Sequence, residues 1–179
     1  MSRFPTIPQD QLSGPACAVH EQIRKAAGKL PNAYALIGAY SPAAMSLLLS
    51  GDAALSKGQL SRRDIEAVRL GISQQNGCDY CVAGHTLVGK LVGLSPEETR
   101  AARAGQASGN PQRDALVAFT REVASTRGTV PEATLQAVLD AGYTPGQVVE
   151  ALFTVALISF TNLFNRVNDT TLDYPNPDA

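Results

Sequence analysis

The sequence carries almost no net charge: 15 Lys and Arg stand against 16 Asp and Glu, a formal balance of -1. No global field recruits nucleic acid or an anionic membrane. No basic run exists either, since Arg62-Arg63 is too short to act as one. The N-terminal stretch Met1 to Pro8 lacks the apolar core of a secretory signal, so the protein is expected to be cytoplasmic. The most apolar segment, Val148 to Phe160, is interrupted by Glu150, Thr154 and Ser159, which reads as too short and too polar to span a bilayer. Cysteine is scarce. Three thiols without a leader argue against a disulfide framework. Clear strand-length alternation of apolar and polar residues is also missing, which argues against half-buried strands.

What is present is an ordinary globular balance, 44% hydrophobic and 17% charged, over 179 residues. That is enough for one domain, 1–179, with a sizeable core. Proline is placed as a helix starter. Ser41-Pro42, Ser95-Pro96, Asn110-Pro111 and Thr144-Pro145 each set a capping side chain before a Pro. Pro at the first helical position loses nothing, because its missing N–H has no partner there. Apolar residues recur three and four apart in Ile65/Val68/Ile72, Val88/Val92, Leu116/Phe119/Val123 and Leu135/Val138/Leu139. Gly77, Gly93 and Gly105 sit where helix C-termini want a left-handed residue. The pattern predicts an all-α chain with helices near 15–28, 32–40, 42–56, 62–76, 79–93, 96–105, 111–127, 131–141 and 145–167. The proline-rich tail, 170–179, is expected to be extended and superficial.

The chemistry concentrates at Cys78-Asp79-Tyr80-Cys81 and His85. If Cys78 starts a helix, Cys81 and His85 fall within about 60° of it on one face. That face continues through Val88 and Val92, so the helix is expected to bury His85, Val88 and Val92. One turn separates the cysteines by about 5–6 Å between Cα atoms, within bridging range. A helix N-terminus stabilises a thiolate, which favours Cys78, whereas a neighbouring imidazole can take the proton of Cys81. A second thiol resolves a sulfenic acid into a disulfide. Glu66, near the edge of the preceding helix's apolar stripe, needs a partner if partly buried, and a hairpin around Gly77 offers His85. Blander readings make Glu66 a surface acid paired with Arg69 or Arg63, and the cysteines small core residues. Glu66, Cys78, Cys81 and His85 can also supply four ligands to zinc, although three on one helix is unlike a structural site. Cys17 reads as a partly buried thiol and His20 as an exposed imidazole. Asn162, Asn165 and Asn168 read as helix-end or subunit-contact residues rather than catalysts.

Glu66, Cys78-x-x-Cys81 and His85, in register, resemble the AhpD-like (alkylhydroperoxidase D) family of the carboxymuconolactone decarboxylase superfamily. The likeness is strongest over 61–93, and Phe160 to Pro175 is similar to the end of such chains. It implies an all-α AhpD-like helical bundle assembling as trimers or hexamers. The implied activity is thiol-dependent peroxide reduction with no bound cofactor or metal. Its partners would be a hydroperoxide substrate and a dithiol reductant. By that pattern Cys81 attacks the peroxide, Cys78 resolves it, and Glu66 and His85 relay protons. An outer Cys78 would then meet the reductant. Some members carry His where this chain has Tyr80, so the auxiliary donor there is weaker or different. The apolar run Val148–Phe160 and the small residues of Pro42–Leu49 offer surface for a homo-oligomer. Two other readings compete with the enzyme: a redox-responsive dithiol partner with little turnover, and a zinc-stabilised scaffold.

Overall fold

The computed structural model describes residues 2–178; Met1 and Ala179 lie outside the described residues. Among those residues there are nine α-helices and no strand: α1 Gly14–Ala27, α2 Asn32–Tyr40, α3 Pro42–Leu55, α4 Arg62–Gln75, α5 Asp79–Leu91, α6 Pro96–Ala104, α7 Pro111–Thr126, α8 Glu132–Asp140 and α9 Pro145–Asn168. A short 3₁₀ turn, Gln9–Gln11, carries no apolar signal in the sequence. Every anticipated Ser/Asn/Thr-Pro start is a working cap. Ser41, Ser95, Asn110 and Thr144 accept the backbone N–H of Ala44, Glu98, Arg113 and Gln147. Each such cap stabilises its helix by about 1 kcal/mol.

Helix α4 is the hub. It packs against α5, α6, α7 and α9, and residues Ile65 to Val68 and Leu70 to Ser73 are all buried. Burial of this middle stretch places Glu66 inside the protein, whereas Asp64, in the first turn, is half-buried. Ile65, Val68, Ile72, Leu116, Phe119 and Val138 form one core with Cys78 and Cys81, whereas Leu135 turns outward. Helices α4 and α5 meet at a Schellman turn. Cys78 N–H bonds Ser73 C=O at 2.9 Å and Gly77 N–H bonds Gln74 C=O at 3.1 Å. Gly77 takes φ +63°, which a side chain would disfavour. The reversal lays α5 back along α4, and this brings positions 66 and 85 face to face.

Helix α9 is longer than its most apolar stretch suggested. Its 24 residues are long and apolar enough to cross a membrane by length and composition. In the fold it is a packing element against α2, α3, α4, α5 and α7, and its inner face buries Thr154, Thr161, Asn162, Asn165 and Asn168. Its outer face leaves Val149, Leu152, Phe153, Phe160, Leu163 and Val167 exposed.

Candidate active site

Cys78 is the N-cap of α5, and its sulfur accepts the Cys81 N–H at 3.3 Å. The two Cα atoms are 5.3 Å apart and the sulfurs lie at disulfide distance. Cys78 is not the outer thiol: it is 2% exposed and Cys81 4%. Capping the helix requires the Cys78 side chain to fold over the first turn, which turns it inward. Cys17 is partly buried and unpaired, as the sequence suggested.

Glu66 reaches His85 across the hairpin, with Oε2 2.8 Å from Nδ1. Its other oxygen accepts from Arg69 Nη1 at 2.8 Å, and Arg69 Nη2 continues to Asp52 Oδ1 on α3 at 2.5 Å. Burial pushes the Glu66 carboxyl up, but His85 and Arg69 together hold it below its ordinary 4.5. An ionised carboxylate only accepts, so Nδ1 of His85 carries a proton, and in the neutral ring Nε2 keeps its lone pair. Both blander pairings of Glu66 are thereby settled: Arg69 is its partner, but inside the protein. Glu66 spends both oxygens on these partners. Among the described residues no three His, Cys, Asp or Glu side chains form a group able to hold a metal. The four-ligand zinc arrangement is therefore not assembled.

Arg69→Met is expected to destabilise the fold by about 3–5 kcal/mol at neutral pH, because it strands a buried carboxylate. Glu66's lowered pKa contributes stability that is present above its ordinary 4.5 and lost as pH falls through the folded value. The gap between wild type and Arg69→Met should therefore narrow below that pH. Urea unfolding at pH 7 and pH 4 checks this, and a gap that stays constant or widens on acidification contradicts it.

The two sulfurs face different spaces. Cys81, His85 and Glu66 border a cavity of about 200 Å³, walled largely by Tyr34, Tyr80, Tyr174 and Ala33. Cys78 borders a second cavity of about 200 Å³ with Asp79, Arg166 and Thr170. His85 and Val88 are half-buried because they line the first cavity, and Val92 is half-buried beside a neighbouring one. The expectation that α5 buries all three is corrected accordingly. The tail is not merely superficial. Tyr174 lies against Gly84, where a Cβ would meet its ring at 3.2 Å, and stacks edge-on with Tyr80 at 5.3 Å. Lys29 Nζ sits 3.9 Å over the Tyr174 ring. Burial raises the Tyr174 hydroxyl to about 12, so it stays protonated at any physiological pH. Tyr80 O–H donates to Asp173 at 2.6 Å and accepts Ala33 N–H at 3.2 Å. The residue between the cysteines thus spends its hydroxyl on the tail rather than on a sulfur.

One reading from the sequence is overturned. His20 is buried and bonds Ala35 C=O at 2.9 Å through Nε2, because α2 packs over it. Asn162, Asn165 and Asn168, read as helix-end or subunit-contact residues, are all buried, and Asn168 ends α9. Asn165 donates Nδ2–H to Cys81 Sγ at 3.3 Å, a contact the sequence did not flag. Its only advance signal was the i, i+3, i+6 row of polar residues along the face that α9 turns inward.

Comparison with known proteins agrees with this fold. Residues 41–122 match the model of the carboxymuconolactone decarboxylase family. No curated protein is significantly similar in sequence. Among solved structures, the chain is similar to an uncharacterized peroxidase-related protein with the alkylhydroperoxidase AhpD core from Ralstonia eutropha JMP134, at TM-score 0.85 and 20% identity, covering 96% of this chain and 92% of that one. It is also similar to the debrominase Bmp8 in complex with 2,3,4-tribromopyrrole, at TM-score 0.80 and 15% identity, covering 99% and 96%. A peroxidase-related protein from Silicibacter sp. TM1040 matches at TM-score 0.76 and 15% identity, covering 94% and 89%.

Proposed function

We propose that this chain, whose residues 41–122 match the model of the carboxymuconolactone decarboxylase family, is an AhpD-like thiol-dependent peroxidase cycling through Cys78 and Cys81. The observation that carries this reading is that Cys81 opens on the same cavity as the His85–Glu66 pair. His85 Nε2 takes the proton of the Cys81 thiol, while Glu66 stabilises the imidazolium. The thiolate attacks the terminal oxygen of a hydroperoxide. The O–O bond breaks, Cys81 becomes a sulfenic acid, and the imidazolium returns its proton to the departing alkoxide, which leaves as alcohol. Cys78 then attacks the Cys81 sulfur, a disulfide forms and water departs. A dithiol reductant restores both thiols through exchange, approaching from the Cys78 side.

Consumption of an organic hydroperoxide by the protein, with a small dithiol as reductant, tests the proposal; no consumption above the dithiol alone refutes it. The aromatic walls of the cavity favour one second reading. The same dithiol can reduce a small halogenated aromatic, releasing halide as the disulfide forms, since Bmp8 shares the fold and holds a bromopyrrole. Bromide release in place of hydroperoxide consumption would select that reading.

The proposal includes a cytoplasmic homo-oligomer, a trimer or hexamer. Its support is the exposed α9 row of Val149, Phe153, Phe160, Leu163 and Val167, which runs the length of the helix. Light scattering at micromolar concentration is expected to give a multiple of 18.8 kDa. Leu163→Glu is expected to reduce that mass. A monomer in the unsubstituted protein contradicts the assembly.

A further inference from the structure

Three asparagines follow one another on the inner face of α9, and their hydrogen bonding differs. Asn162 is fully paired: its Nδ2 donates to Ser73 Oγ at 3.2 Å and its Oδ1 accepts from Asn76 at 2.9 Å. Asn168 is fully paired as well, donating to Thr170 Oγ1 at 2.8 Å and accepting Phe4 N–H at 2.8 Å. Both tie chain segments together. Asn165, 4% exposed, is different. Its Nδ2 donates to the Cys81 sulfur, and its Oδ1 is buried with no hydrogen-bond partner. A buried carbonyl oxygen left without a donor is destabilising, and proteins keep few of them. This one stands at the border of both sulfur cavities.

The chemistry of the dithiol accounts for both halves of that side chain. Burial disfavours the Cys81 thiolate, because the charged form loses water. The Cys81 N–H cannot help its own sulfur, since it is spent on Cys78 Sγ. An amide N–H aimed at Cys81 Sγ stabilises the charged form, and a carboxamide does so at every pH because it does not titrate. The idle Oδ1 lies on the same carboxamide, within a C–N–O span of that sulfur. A hydroperoxide presents an O–H there, and so does the sulfenic acid that replaces it.

We propose that Asn165 is a further catalytic residue: its amide N–H holds the Cys81 thiolate, and its unpaired carbonyl oxygen accepts the O–H of the oxygen species at that sulfur. The second half rests on the peroxidase reading; the first does not. When Cys78 attacks, the S–O bond breaks, the S–S bond forms, and the hydroxide leaves as water with the proton that the Cys78 thiol gives up. Asn165 itself exchanges no proton. When a reductant thiolate later attacks Cys78, the same amide receives Cys81 as the departing thiolate, which speeds exchange because a stabilised thiolate leaves faster.

The test uses the full chain with Cys17→Ser and Cys78→Ser, so that Cys81 is the only thiol. Its rate of alkylation by iodoacetamide is followed against pH. Asn165→Leu is expected to move the midpoint up by about one unit and to lower the rate near neutrality roughly tenfold. Asn162→Leu, on the same helix, is expected to lower the melting temperature without moving the midpoint, which is the signature of a structural role. If Asn165→Leu does not fold, Asn165→Ala serves, since it removes both polar atoms and adds no bulk. An unchanged midpoint in the folded Asn165 variant overturns the proposal. One equivalent of cumene hydroperoxide then reads the second half: the yield of trapped Cys81 sulfenic acid is expected to fall several-fold in Asn165→Leu. An undiminished yield overturns that half. A shifted midpoint with no sulfenic acid in any variant refutes the peroxidase reading and leaves the donor role standing.

Discussion

In Cys78→Ser, a single equivalent of organic hydroperoxide is expected to leave a sulfenic acid on Cys81, and steady-state turnover is expected to vanish. Cys81→Ser is expected to lose about 10³-fold or more of the oxidative rate, as removal of a nucleophile does. Two arguments from the sequence pull apart here. Helix-end electrostatics favour Cys78, the residue nearest the free N–H groups of α5. Its sulfur does accept the Cys81 N–H, but its cavity holds neither His85 nor Glu66. Cys81 has the base, the substrate-sized apolar cavity and the Asn165 amide. A thiol served by a base needs no strongly depressed resting pKa. Trapping the sulfenic acid in each single variant, followed by peptide mass analysis, decides the matter. A trapped species on Cys78 in Cys81→Ser, with Cys78→Ser inert, reverses the assignment.

Glu66→Gln and His85→Ala are each expected to slow hydroperoxide turnover by about 10²–10⁴, the usual contribution of a positioned base. The two act as a unit, so the double variant should lose little more than either single one. The reason lies in the 2.8 Å contact between Glu66 Oε2 and His85 Nδ1. Without the carboxylate the imidazole is free to carry its proton on Nε2, and a ring in that tautomer cannot accept from Cys81. The Cys78–Cys81 disulfide should still form with diamide, because the 5.3 Å Cα separation depends on the helix turn rather than on the relay. Retention of full turnover in Glu66→Gln would show that the carboxylate has no part in the proton path. Loss of disulfide formation along with turnover would point instead to a disrupted α4–α5 hairpin.

Much of this protein was legible from local sequence, because the interactions concerned span only a few residues. A Ser, Asn or Thr before Pro satisfies the first N–H groups of its own helix, so the starts of α3, α6, α7 and α9 agree with the structure to the residue. Gly77 marks the α4–α5 reversal for the same reason, since a positive φ is a property of one residue. Cys78, Cys81 and His85 lie within two turns of one helix, and their common face follows from 3.6 residues per turn. Glu66 was reachable because a tight hairpin is itself local.

Other parts of the site were decided only when distant segments met. Asn165 reaches Cys81 across 84 residues, Asp173 reaches Tyr80 across 93, and Asp52 reaches Arg69 across 17 from another helix. Nothing in the spacing of Asn162, Asn165 and Asn168 tells a paired carboxamide from one aimed at a sulfur. That depends on how α9 is rotated against α4 and α5, which is set by the packing of the whole core. His20 shows the same limit in reverse: its periodicity is unremarkable, and α2 buries it. The pairing of Cys78 with Cys81 was thus a matter of helical repeat. Its surroundings, the carboxamide, the tyrosine walls and the ion-pair chain behind Glu66, come from long-range packing, because side chains far apart in sequence acquire a common environment only through the fold.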